Sequence, residues 1–181
     1  RLPFAATVKR SLCGKDDARY AAVTIADGAA GEIVIHNFYV PAGGDEPDPA
    51  INPKFAHKLA FLDEMRRWLV GAETERNAIL VGDLNIAPYE HDVWSHRQLL
   101  RVVSHTPVET EGLEAFRQAG GWIDAMRRFV PPDRKLYTWW SYRAVDWQVA
   151  DRGRRLDHIW VSPPLAGRLA GIEVVRAARG W

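Results

Sequence analysis

Apolar side chains recur with two periods along this chain, and the period separates strands from helices. Tyr20 to Ile25 and Glu32 to Asn37 are rich in β-branched and aromatic residues. Asp27-Gly28 and Gly31 between them read as a hairpin turn. Ala78 to Val81 is a short unbroken apolar run, suited to a strand buried on both faces. Leu156 to Val161 and Ile172 to Val175 are two further strand candidates. Helical spacing instead links Phe55, Leu59, Leu62, Met65 and Leu69, which predicts a helix from Pro53 to about Leu69. A shorter helix is predicted from Leu113 to Gln118, stopped by Gly120-Gly121. Asp124 to Phe129 adds a turn or two, and Asp92 to Val103 is helical at least in part. Strands alternating with helices and long loops predict an α/β or α+β layered fold.

One loop stands out from this pattern. Pro41-Ala42-Gly43-Gly44-Asp45 through Asp48-Pro49 holds too much Pro, Gly and Asp for regular structure. It follows a strand directly, so it is expected at a strand's carboxyl end, where α/β proteins place ligands.

Bulk composition narrows the class without naming a function. The chain has 181 residues, 47% hydrophobic and 26% charged, the balance of a folded domain rather than a disordered tail. No repeat or shift in composition marks a boundary, so residues 1–181 read as a single domain. No apolar run reaches the roughly 18 residues of a membrane span. The start, Arg1-Leu2-Pro3-Phe4, lacks the apolar stretch of a secretory signal. A lone cysteine, Cys13, excludes an internal disulfide framework and a multi-thiolate zinc site, and the expected location is the cytosol. Net charge is only +1, so any nucleic-acid contact needs positive charge gathered locally.

Four segments carry candidate chemistry. In Ile79-Leu80-Val81-Gly82-Asp83-Leu84-Asn85 a buried strand delivers a carboxylate and a carboxamide two residues apart. On an extended chain such positions share a side. The carboxylate can take a proton from water or hold a hard metal, and the amide can donate to a phosphoryl oxygen. The same residues also suit an Asx-rich turn that simply ends a strand. In His36-Asn37-Phe38-Tyr39-Val40-Pro41, Tyr39 stands where a strand enters the glycine-rich loop, either within reach of a phosphate or as an ordinary strand tyrosine. In Arg154-Arg155-Leu156-Asp157-His158-Ile159, Asp157 interrupts an apolar strand; turned inward it needs a partner, either Arg155 on the same side or a distant histidine. Finally Tyr137-Thr138-Trp139-Trp140-Ser141-Tyr142-Arg143, with Trp147, Arg152, Arg154 and Arg155, interleaves rings and guanidinium groups. That pattern suits a grip on a distorted nucleic-acid strand, or an aromatic core beside a solvated basic loop. His57, His91, His96 and His105 show no zinc spacing and read as structural or surface residues.

In this order, Asn37-Phe38-Tyr39-Val40-Pro41, Gly82-Asp83-Leu84-Asn85-Ile86-Ala87-Pro88, Thr138-Trp139-Trp140-Ser141-Tyr142-Arg143 and Arg155-Leu156-Asp157-His158-Ile159 resemble the exodeoxyribonuclease III family of apurinic/apyrimidinic endonucleases, within the endonuclease/exonuclease/phosphatase superfamily. Asn52-Pro53-Lys54-Phe55 and Val103-Ser104-His105-Thr106-Pro107 extend the likeness. The resemblance implies a DNase I-like four-layer α/β/β/α sandwich, with a Mg²⁺ (or Mn²⁺) dependent site at one edge of two packed sheets. It implies that Asp83 orients and deprotonates water and touches metal, with Asn85 beside it as second metal-side ligand or phosphoryl contact. Tyr39 would meet the scissile phosphate, and Asp157 would orient a histidine. Trp139 and Arg143 would contact DNA, Trp139 near an extrahelical abasic sugar. The implied partner is duplex DNA with abasic sites or recessed or blocked 3′ ends, bound by a monomer.

Family members carry an Asn-rich first strand and a metal-binding Glu before the matched stretch, and end in a Ser-Asp-His motif. None of these has a counterpart here, and the chain stops at Arg179-Gly180-Trp181. The expectation is a domain truncated at both ends, weakly active or inactive as it stands, with apolar sheet surface uncovered. Two alternatives stay open: a phosphoesterase of the inositol-phosphate phosphatase or sphingomyelinase type, and an inactive DNA-binding remnant.

Overall fold

The computed structural model of the chain describes residues 4–27, 31–68 and 76–180. Its centre is a six-stranded mixed sheet. In chain order the strands and helices are β1 (Phe4–Lys9), β2 (Tyr20–Asp27), β3 (Gly31–Tyr39), α1 (Pro53–Trp68), β4 (Ala78–Asp83), α2 (His96–Leu99) and α3 (Pro107–Ala119). There follow β5 (Ile123–Asp124), α4 (Ala125–Phe129), β6 (Trp139–Trp140), α5 (Trp147–Ala150), β7 (Gly153–Arg154) and β8 (Asp157–Val161). The large sheet runs β1-β2-β3-β4-β8-β5, and β6 pairs with β7 in a separate two-stranded ribbon. Only β3 and β4 are parallel neighbours; the other pairs are antiparallel.

Strand alternation sends side chains to two unlike faces. Ala22, Phe38, Leu80 and Trp160 face α1 and α3 and pack on Phe61, Leu62, Met65, Leu113 and Phe116. The opposite face carries Ile25, Ile33, Ile35, Ile79 and Val161, covered at one end by Ala125 of α4 and by Leu165 and Leu169. Beyond that cover the face opens, and Ile159 is 41% exposed. The α/β class and the central sheet with helices are as expected. Two large sheets face to face are not found among the described residues, where the second sheet is the short β6–β7 pair.

Several expectations change at this level. Ala78 to Val81 is a strand but not one buried on both faces, because Ile79 and Val81 look onto the less covered side. Ile172 to Val175 forms no strand, since among the described residues no neighbour pairs with it; a 3₁₀ turn follows at Arg176–Gly180. The stretch from Asp92 to Val103 is helical only at His96–Leu99. β1 has no strong pattern in sequence and forms by pairing with β2 at the sheet edge, exposed throughout. α3 begins earlier than Leu113 because Thr106, Pro107 and Glu109 make a capping box with Pro at the first turn. The hairpin residue Gly28 and the helix residue Leu69 lie outside the described residues.

Candidate active site

Register decides the site. Tyr39 pairs with Asp83 across β3 and β4, and Asp83 pairs with Asp157 across β4 and β8. Three residues distant in sequence therefore stand in one row, on one face, at the end of the sheet. The row forms because Gly82 lets the backbones of β3 and β4 approach. Its φ is +138°, and a Cβ there would lie 1.9 Å from the Phe38 carbonyl oxygen, so only glycine fits.

Asn85 joins Asp83 for a different reason from the one its spacing suggests. The strand ends at Asp83, and Asn85 turns into the left-handed region at φ +51°. Its N–H donates to Asp83 Oδ1 at 2.9 Å, and its Nδ2 donates to the Val40 carbonyl at 2.9 Å. The turn and the candidate site are thus one structure. Tyr39, Asp83, Asn85 and Trp139 line a single cavity of about 440 Å³, whose other walls include Ser104 and Arg154.

Burial first, with the nearby charge of Asp157 adding to it, pushes the Asp83 carboxyl up to about 6 against the opposing pull of the Asn85 N–H and Lys58. Asp157 itself is exposed, not turned inward. Its N–H donates to Thr138 Oγ1 at 3.0 Å, as does that of Leu156 at 3.1 Å, so Thr138 sets the start of β8. Arg155 is not its partner: that guanidinium is wholly buried, 2.6 Å from Asp124 and 2.9 Å from Asp92. No histidine is paired with Asp157 among the described residues. His158 points the other way, buried, with Nε2 2.8 Å from the Ile86 carbonyl, and burial drops it to about 3.

Tyr39 is 51% exposed, with the Arg19 guanidinium 5.0 Å from its ring centre. The aromatic segment divides between both sequence readings. Trp140 and Trp147 are core, packed with Tyr137. Trp139 is half-buried and lines both the cavity and an adjoining depression of about 420 Å³ that also takes in Arg143, Arg152 and Arg154. Arg143 therefore lies beside the carboxylate cavity rather than within it.

Could a metal sit here? Among the described residues no three His, Cys, Asp or Glu side chains converge as a cage. Mg²⁺, however, commonly binds one or two carboxylates and keeps several waters. Two carboxylates in adjacent register, one raised partly by the other's charge, fit a cation of that kind. Residues that the sequence did not single out also shape the site: Ser104, Thr138, Arg154, and a buried pair of Lys58 and Glu109 beneath it. Thr138 and Arg154 stood inside candidate segments, and Ser104 inside Val103-Ser104-His105-Thr106-Pro107, but none of the three was named as a site residue.

Comparison with known proteins identifies the family. Residues 1–178 match the model of the Endonuclease/Exonuclease/phosphatase family. The chain is 28% identical over 151 residues to an exodeoxyribonuclease III from Haemophilus influenzae, covering 80% of this chain and 55% of that protein. It is 29% identical over 135 residues to the DNA repair nuclease APEX1 of Danio rerio, covering 71% and 43%. The chain thus spans about half the length of these relatives. An AP endonuclease structure from Archaeoglobus fulgidus superposes with TM-score 0.75 at 26% identity, over 92% of this chain and 59% of the other. A Neisseria 3′ phosphatase, solved with a product DNA hairpin, gives TM-score 0.79 at 24% identity, over 92% and 62%, a likeness of fold. On the family match, which runs through nearly the whole chain, this chain belongs to the endonuclease/exonuclease/phosphatase family.

Proposed function

We propose that the protein is a Mg²⁺-dependent DNA-repair phosphodiesterase, cleaving duplex DNA at abasic sites or at recessed or blocked 3′ ends by in-line attack of water. One observation carries the reading: register sets Tyr39 and Asp83 side by side at a cavity walled also by Asn85 and Trp139, with Asp157 next to Asp83 in the same row. Asp83, raised to about 6, remains mostly ionised at neutral pH yet basic enough to draw a proton from water. Asn85 offers its remaining amide hydrogen to a phosphoryl oxygen, and the exposed Tyr39 phenol reaches the same phosphate. Asp157, exposed in the same row, would orient a histidine. Mg²⁺ or Mn²⁺, held by Asp83 and the Asn85 side chain, would supply Lewis-acid polarisation of the phosphodiester.

Duplex DNA is favoured over a small phosphoester by the neighbouring depression. There Trp139 offers a half-buried ring to an extrahelical sugar, and Arg143 and Arg152 add positive charge for phosphates on a chain of net charge only +1. The names of the relatives point the same way. We infer a monomer working in the cytosol.

The test is incision of a duplex carrying one abasic site, in Mg²⁺ and in EDTA, by the full-length protein and its Asp83→Asn variant. The expected result is metal-dependent incision by the parent, reduced about 10²- to 10⁴-fold by the substitution. Incision indifferent to EDTA or to Asp83→Asn, or hydrolysis of an inositol phosphate with DNA left intact, sinks the reading.

A further inference from the structure

Position 58 lies on the buried stripe of α1, among Phe55, Phe61, Leu62 and Met65, where the helical period calls for an apolar residue. The chain places a lysine there. Its side chain is wholly buried and stands 2.5 Å from Glu109 of α3, which is wholly buried too. Such a pair is weak evidence for stability, because packed apolar residues of similar volume often serve as well or better. What the lysine touches gives a better reason for it. Nζ also donates to the Asn85 carbonyl at 2.8 Å and to the Ala42 carbonyl at 3.3 Å, so each ammonium hydrogen has an acceptor.

Both acceptors belong to walls of the cavity. Asn85 is held left-handed at φ +51°, a conformation open to asparagine when local hydrogen bonds support it, here from its side chain to the Val40 carbonyl and from Lys58 to its own carbonyl. Ala42 precedes Gly43, whose φ is +90° and where a Cβ would come 2.9 Å from the Lys58 Cδ, so the loop rests directly on the lysine stem. Glu109 anchors a third wall. It accepts from Thr106 Oγ1 at 2.6 Å and from the Ser104 N–H at 2.9 Å, and Ser104 Oγ holds Arg154 at 2.7 Å. The segments at 41–44, 83–87 and 102–104 therefore meet at one ion pair.

We propose that Lys58 and Glu109 are positioning residues for the cavity, fixing the spacing between the loop after β3 and the turn after Asp83 within which a phosphate is to be held. Neither touches the reacting atoms. The activity arm of the test rests on the nuclease reading above; the structural arm does not.

The experiment compares three forms of the full chain: parent, Lys58→Met, and Lys58→Met with Glu109→Gln. The single change strands a buried carboxylate and lowers stability. The double change removes that charge while glutamine keeps the capping box, so thermal stability returns towards the parent's. In the double variant, hydrogen exchange across 41–44 and 84–87 is expected to quicken about tenfold or more while α1 and α3 stay protected. The kcat for abasic-site incision is expected to fall by about one to two powers of ten, with KM little changed. Exchange and kcat equal to the parent's in the double variant would overturn the proposal, leaving Lys58 as a mere counter-charge to Glu109. Faster exchange in those two segments, with no incision by any form including the parent, upholds the positioning role and sinks the nuclease reading instead.

Discussion

Arg155 and Asp157 stand two residues apart, and their surroundings are opposite. Arg155 is wholly buried, held by Asp92 and Asp124, with Arg127 also on Asp92. Asp124 caps α4 with its other oxygen, accepting from Met126 and Arg127 N–H groups at 3.0 Å. This cluster ties the start of β8 to α4, and its charges are paired. Asp157, exposed, faces a second carboxylate across the ladder, with its N–H held by Thr138 Oγ1. The difference teaches how to sort polar residues in one short segment. A charge whose partners are all supplied by the protein is architecture; a charge left exposed opposite another of the same sign is a place for a substrate, a proton or a cation.

Three measurements press on that contrast. The largest effect is expected from Arg155→Met, which strands the buried Asp124 carboxylate and leaves Asp92 with Arg127 alone; urea unfolding at pH 7 should show a loss of about 3–5 kcal/mol. A loss below about 1 kcal/mol would mean that the cluster is not a structural tie.

Acid sensitivity comes next. His158 lies beside Arg155, buried, and its folded value of about 3 is below the ordinary 6.5, so the unfolded chain binds the extra proton first. Stability is therefore full above about 6.5 and declines as pH falls towards 3. The slope approaches about 1.4 kcal/mol per pH unit, or about 2 kcal/mol between pH 7 and pH 5. Denaturant melts of His158→Gln against the parent across this range should show a flatter profile; parallel profiles would assign the acid loss to other groups.

The smallest effect belongs to the open side of the comparison. Asp83 is raised from 3.8 to about 6, so its contribution is favourable at low pH and is lost as pH rises through 6. Asp83→Asn should then stabilise the protein at pH 8, with solvent screening holding the gain to about 1 kcal/mol, and the gain should vanish below about pH 4. A destabilised variant at pH 8 would place Asp83 with Arg155, among the architectural charges. A variant that is more stable and less active would mark it as a residue kept for chemistry.

The motifs that carry the site were readable because local rules suffice for them. Gly82-Asp83-Leu84-Asn85 follows an apolar run, and Pro41 to Pro49 cannot be regular, so a strand end and a loop were both visible. Tyr39, Asp83, Asn85 and Trp139 do line one cavity. Arg143 falls in the adjoining depression, and Asp157 is placed by strand register. Readings that failed did so where a distant partner decides. Arg155 as partner of Asp157 rested on alternation along one strand, but β8 begins only at Asp157 and Arg155 is drawn to Asp92 and Asp124. The helical stripe read through Leu59 runs instead through Lys58 and Phe61, because hydrophobicity alone does not foresee a buried lysine whose counter-charge lies 51 positions on.

By itself, then, the sequence determined the local elements that short-range periodicity and turn chemistry can specify: β2 to β4, the core of α1, the glycine-rich loop and the Asp-x-Asn turn. Only the tertiary structure decided which of their residues meet. The row of Tyr39, Asp83 and Asp157 exists through hydrogen-bond register between strands whose paired residues lie 44 and 74 positions apart, and the Lys58–Glu109 pair through the packing of α1 on α3. Register and burial are properties of pairs brought together by folding, and no window along a single strand or helix contains them.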